Sequence, residues 1–237
     1  MRKTKFAKGN IYHIFNRGVE KRDIFNNDSD RWRFLQGLYL FNDENSSANM
    51  LWEISRDEGI VKFPFVVNRV NLKGERSQLV RIMADCLMPN HYHLLLEEIK
   101  DGGISKFMHR LGVGYTGYFN KKYNRVGSLF QGAFKAVHVD EDTYLQYLLI
   151  YLNVVNPGEL IEPELKEKGV KNIDTVMKFA AEYPWSTHQE YLGKRNSIII
   201  DKGLLGNFFA NPLKYAELAK DIILTKKFNT ISDLLLE

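Results

Sequence analysis

Two apolar runs, LVRIMADCLM (79–88) and HYHLLLEEI (91–99), are separated only by Pro89-Asn90. Runs of this length and character read as strands, and the Pro-Asn pair is a turn signal between them. Strand side chains alternate between faces, so His91 and His93 share one face while Tyr92 points to the other and reads as packing. Two imidazoles side by side on a strand are half of a divalent-metal site. Taken alone, the same pair also suits a solvent-facing or hydrogen-bonded structural role.

The flanking sequence supplies the rest of a layer. IYHIF (11–15) alternates as a strand, and NRGVEKR (16–22) follows as a basic loop. From Asp28, an Asp/Ser start leads into Trp32, Leu35, Leu38 and Tyr39 at helical spacing. NDENSSAN (42–49) reads as a polar loop, Phe63–Val70 as a short strand and NLKGERSQ (71–78) as a turn. The stretch 104–123 is helical in its apolar spacing, AFKAVHV (133–139) alternates, and 140–157 is a helix with an acidic start and a proline end. Beyond Pro157 the chain is charged and helix-like. The order strand, helix, strands, helix, strand, helix predicts an α+β fold, with antiparallel sheet and helices in layers.

Composition narrows the setting. A chain of 237 residues has room for one large domain, or for a domain with an appendage. No apolar stretch reaches the roughly 18 residues that span a bilayer. The basic start MRKTKFAKGN leads into no apolar run, so no signal peptide is expected. Cys86 is the single cysteine, which excludes an intramolecular disulfide and a cysteine-based zinc site; a reducing, cytoplasmic location fits. The net charge of +4 is compatible with nucleic acid without demanding it.

The helix over 140–157 carries Tyr144, Tyr147 and Tyr151 near one stripe. Such a stripe serves packing more often than chemistry. A phenol with a pKa near 10 is a poor nucleophile alone, but a nearby cation favours its ionised form, so a metal and a tyrosine can work as a nucleophilic pair.

CLMPNHYHLLLE, together with IYHIFNRG, SLFQGAFKA, the helix ending IYLNVVNP and finally YPWSTHQEYLG (183–193), resembles the HUH-type single-strand DNA transposases, and among them the REP-associated tyrosine transposase branch. The resemblance runs over roughly residues 10 to 193, with five motifs in the family's order. It implies a ferredoxin-like antiparallel sheet carrying the histidines, a helix presenting a tyrosine beside them, and dependence on Mg²⁺ or Mn²⁺. It implies a catalytic domain over 1–160, with 161–237 left as a helical extension packed on it. The implied activity is that of a single-strand endonuclease and strand transferase acting on hairpin or imperfectly palindromic DNA through a 5′-phosphotyrosine intermediate. Tyr151 matches the family's nucleophile, and His91 and His93 match its metal ligands. Relatives include dimers; the long extension inclines the reading to a monomer.

One spacing departs from the family's pattern, in which asparagine-proline follows the tyrosine with the amide four residues on. Here Asn156 comes five residues after Tyr151. At about 100° per residue, +4 is offset by roughly 40° and +5 by roughly 140°, so a regular α-helix would turn Asn156 away. Three outcomes stay open: a one-residue π-bulge realigns the pair, Asn156 is not a ligand, or Tyr151 is not the nucleophile. The bulge is the working expectation, since such insertions cluster at functional sites. Asn153 and Gln146 are weaker third ligands.

Single-stranded DNA calls for cations on phosphates and aromatic faces for bases. Arg17, Lys21 and Arg22 offer the first beside Gly18. The stretch 106–132 interleaves Arg110, Lys121, Lys122 and Arg125 with Tyr115, Tyr118, Phe119 and Tyr123, and Gln131 closes it. Phe130 reads as core, and Trp185 as the residue that docks the C-terminal segment. Two other functions compete: a metal phosphoesterase in which water attacks, and a hairpin-binding module without catalysis.

Overall fold

The computed structural model describes residues 4–45 and 76–231. The expected strand Phe63–Val70 lies outside them, as do half of the loop 42–49 and most of the turn 71–78. Among the described residues four strands form one antiparallel sheet: β1 (Ile11–Arg17), β2 (Val80–Met88), β3 (His91–Glu98) and β4 (Lys135–Val139), in the spatial order β2-β3-β1-β4. Helix α1 (Asp28–Phe41) connects β1 to β2 and α2 (Gly103–Lys122) connects β3 to β4. This βαββαβ order with that strand arrangement is the ferredoxin-like fold.

Local chemistry sets the element ends. Asn27 caps α1 by accepting from the Asp30 N–H. At the other end Asn42 accepts from Leu79 and Val80 N–H and donates to Val80 O, which pins the helix to the start of β2. The buried carboxylate of Glu98 accepts from Gly102 and Ile104 N–H at 2.8 Å each, satisfying the donors that open α2. Gly18 turns the basic loop back on itself; a Cβ there would lie 2.2 Å from Arg22 O.

Register divides the two faces. Residues directly opposite in a ladder share a face, and Phe15 and Cys86 both pair with His93 while Arg17 and Met88 pair with His91. Tyr92 faces the other way and packs on Phe34 of α1, with ring centroids 4.9 Å apart. Against the histidine face lies α3 (Asp142–Ile150), which runs on through a π-helical turn, Tyr151–Val155, into Asn156–Gly158.

The remaining chain supplies α4 (Leu165–Lys168), α5 (Ile173–Glu182), α6 (His188–Tyr191), α7 (Gly203–Phe208) and α8 (Pro212–Leu224). Its segment 185–187 lies along the β2 edge: Leu87 N–H donates to Trp185 O and Thr187 N–H to Asp85 O. The backbone groups of an exposed edge strand are thereby paired, which removes a template for aggregation. Trp185 packs edge-on against Trp32 of α1, with centroids 5.4 Å apart. Buried hydrophobic residues form one cluster that runs from the sheet into these helices.

A buried polar knot fastens the extension beneath the π turn. Asn153 Nδ2 donates to Tyr215 Oη at 3.0 Å, Thr187 Oγ1 donates to Asn153 Oδ1 at 2.8 Å, and His188 Nδ1 lies 2.7 Å from Tyr215 Oη. Burial lowers His188 to about 4. Below its ordinary value of 6.5 the unfolded chain takes up a proton that the folded chain refuses until about 4. The stabilisation is therefore complete above 6.5 and is lost on acidification, by about 3 kcal/mol. Asp85, raised to about 7 chiefly by burial, changes stability in the opposite sense over much of this window. Urea unfolding of wild type and His188→Gln from pH 7 to 4 isolates the histidine: their stability difference should shift by that amount against the wild type.

Candidate active site

His91 and His93 open onto a cleft of ≈ 490 Å³ whose walls include Asn16, Arg17, Lys21, Gln131 and Lys135. Three of these side chains are cationic. The loop that carries Lys21 is anchored on the β2–β3 turn, where Gly18 N–H donates to Asn90 O and Asn90 Nδ2 donates to Lys21 O. Glu20 and Lys21 adopt left-handed backbone angles, with φ of 56° and 58°. Such angles cost roughly 1–2 kcal/mol for residues with a Cβ, and here they turn a basic side chain along the cleft.

The histidines are held through their Nδ1 atoms. Asn90 Oδ1 lies 2.6 Å from His91 Nδ1, and His13 Nε2 lies 2.8 Å from His93 Nδ1. An ion could therefore be held only at Nε2 of either ring, and both Nε2 atoms are sealed from solvent. Burial above all, with His91, His13, Lys166 and Arg17 nearby, holds His93 neutral well below the ordinary histidine range.

Tyr151 meets His93 edge-on, with ring centroids 6.2 Å apart. Lys166 Nζ sits 4.7 Å from the centre of the Tyr151 ring and 2.7 Å from Glu159 Oε2. The π turn answers the spacing problem. Asn156 N–H bonds to Tyr151 O, five residues back, so one helical turn separates the two residues. Neither Oδ1 nor Nδ2 of Asn156 has a hydrogen-bond partner among the described residues, although the side chain is fully buried. A buried amide left in this state costs roughly 1–3 kcal/mol and points to a ligand.

These donors suit a divalent cation. Imidazole nitrogen and amide oxygen are donor types that a divalent cation accepts, and a site built on them leaves coordination positions for phosphate oxygens. Among the described residues, no group of three or more His, Cys, Asp or Glu is placed to hold a metal ion. Asn153 is not a substitute, because both ends of its amide are spent in the knot with Tyr215 and Thr187.

The expected DNA contacts divide. Arg17, Lys21 and Gln131 line the histidine cleft, joined by Asn16 and Lys135, which the sequence reading passed over. Arg22 is paired with Glu20 and Val19 O. Tyr115 requires correction: it is 1% exposed, its hydroxyl donates to Ile24 O, and it presents no face to a base. Arg110 donates to Asp43 O and Glu44 O, tying α2 to the end of α1. Lys122 bridges to the buried Asp30, and Arg125 donates to Asn120 Oδ1. These three hold the fold together, while Lys121 is exposed on the last turn of α2. The sequence reading missed His13, whose signal was a lone histidine inside an alternating strand.

The antiparallel sheet sets a histidine pair beside a tyrosine-bearing helix, the layout that the sequence resemblance implies. Residues 69–153 match the family model described as "Transposase IS200 like", a stretch that includes His91, His93 and Tyr151. The matched stretch, 85 of the 237 residues, is similar to that family. A solved structure of a REP-associated tyrosine transposase bound to a REP hairpin is similar at 11% identity and a TM-score of 0.46, over 85% of this chain and 93% of that one. No curated protein matches. No described helix is long and apolar enough to cross a membrane.

Proposed function

We propose that the protein is a metal-dependent endonuclease and strand transferase for single-stranded DNA, acting beside a hairpin, with Tyr151 as nucleophile. The observation that carries this reading is the π turn, which sets Asn156 one turn from Tyr151 while Tyr151 touches His93. His91, His93 and Asn156 would hold Mg²⁺ or Mn²⁺, and the imidazoles favour the latter. Bound there, the cation would polarise a phosphate oxygen as a Lewis acid. Arg17, Lys21 and Lys135 bind the flanking phosphates, and Gln131 contacts the strand beside them. Tyr151 Oη attacks phosphorus and gives up its proton; the P–O3′ bond breaks, and the leaving 3′ oxygen takes a proton. The new phosphotyrosyl bond conserves the energy of the old one, so a 3′-OH can reverse the step. Such a substrate fits the expected cytoplasmic location, and the long C-terminal extension favours a monomer over a dimer.

Tyr151 is 1% exposed, so DNA must displace what covers it before attack. Lys166 lies over the ring face, and its charge there stabilises phenolate more than phenol. Lys166→Met should slow adduct formation by about tenfold in single-turnover assays at unchanged DNA affinity, with Lys166→Arg close to wild type.

The burial of Tyr151 also favours a second reading, in which water attacks in the histidine cleft. One incubation with labelled hairpin DNA and Mn²⁺, followed by denaturation, separates the readings. Protein-linked label supports strand transfer, released fragments without linkage support water, and binding without cleavage supports a hairpin-binding module.

A further inference from the structure

We propose that His13 is a positioning residue: it accepts the Nδ1 proton of His93 and so turns the Nε2 lone pair of His93 toward the metal. This inference rests on the metal reading of His91 and His93. The two rings are fully buried neighbours across the β1–β3 ladder, stacked at 5.0 Å between centroids with planes 17° apart. Phe15 packs on both, 4.8 Å from His13 and 5.8 Å from His93, and restricts ring rotation. His13 Nε2 and His93 Nδ1 lie 2.8 Å apart, so one of the two carries the proton that joins them.

Either ring could donate. If His13 donates, the proton of His93 sits on Nε2 and that nitrogen cannot bind a metal. If His93 donates, its Nε2 lone pair points away from His13 and is available as a ligand. His91 shows which arrangement the site is built for. Asn90 Nδ2 is used on Lys21 O, so it is Asn90 Oδ1 that faces His91 Nδ1 at 2.6 Å. A carbonyl oxygen only accepts, and the His91 proton is therefore on Nδ1. For the two ligands to offer the same nitrogen, His13 must do for His93 what Asn90 does for His91. His13 then carries its own proton on Nδ1. Outer partners of this kind fix ring orientation and tautomer in metal sites.

The proton can be located without metal or DNA. Two-bond ¹H–¹⁵N spectra of the full, metal-free chain at neutral pH should show both His13 and His93 protonated at Nδ1, assigned with His13→Phe and His93→Gln. Manganese alone is the second probe. His13→Phe keeps the stacked ring but removes the acceptor, and Mn²⁺ affinity should fall roughly 10- to 100-fold. His13→Gln restores an acceptor and should stay within a few-fold of wild type. A wild-type His93 protonated at Nε2 overturns the proposal, as does unchanged Mn²⁺ affinity in His13→Phe. Should His13→Phe fail to fold, the wild-type spectrum decides alone. Tight Mn²⁺ binding without any Tyr151–DNA adduct counts against the strand-transfer reading only.

Discussion

Tyr151→Phe is expected to abolish the covalent protein–DNA species and to slow cleavage by at least about 10⁴-fold, the scale on which losing a nucleophile is felt. The substitution removes one oxygen and keeps the ring that packs between His93 and Lys166, so folding should be unaffected. Tyr144 and Tyr147 lie on the same helix but are only half-buried. Their phenylalanine variants should stay within a few-fold of wild type. Full cleavage by Tyr151→Phe in single-turnover assays would transfer the role to water. Loss in Tyr147→Phe alone would make Tyr147 the nucleophile.

Asn156→Leu should separate stability from function. The native amide is fully buried with neither polar atom paired among the described residues, a cost the metal-free protein carries for its site. Leucine has similar volume and no such cost. The metal-free variant should gain about 1–2 kcal/mol, which for a chain of this size raises the melting temperature by roughly 2–6 °C. Mn²⁺ affinity should fall at least about tenfold, and cleavage with it. Calorimetry with and without Mn²⁺ reads both effects. A destabilised variant with unchanged metal affinity would mean that Asn156 serves packing.

Much of this arrangement was legible in the residues. The strand pair around Pro89-Asn90 declares itself because strand length, alternation and turn chemistry agree there. The histidine pair follows from strand geometry, and the five-residue interval to Asn156 forced the choice between a bulge and a misassigned site. The π turn is the form that choice takes. Other parts depend on contacts that no local pattern encodes. His13 acquires its place only through the β1–β3 register, 80 residues from His93. Lys166 comes from a charged stretch that reads as a solvated helix, yet it lies over the ring of Tyr151.

Tyr115 misleads for a related reason. Basic and aromatic residues interleave along α2, which suggests a DNA surface. Phe107, Met108, Leu111, Tyr115 and Phe119, however, fall at helical spacing and are all buried. The aromatic stripe is the helix's core face, while Arg110, Lys122 and Arg125 make their bonds within the fold. Periodicity was the better guide there than composition. The cations that do line the cleft come from loop and strand positions, where spacing carries little information.

The most direct test of the account is to find the bond it requires. Wild-type protein is incubated with Mn²⁺ and hairpin-bearing single-stranded DNA, digested with protease and nuclease, and its peptides sequenced by mass spectrometry. The expected product is a nucleotide joined through its 5′-phosphate to Tyr151, with the complementary fragment ending in a free 3′-OH. Cleaved DNA with an unmodified Tyr151 peptide, or a phosphate on any other residue, would contradict it.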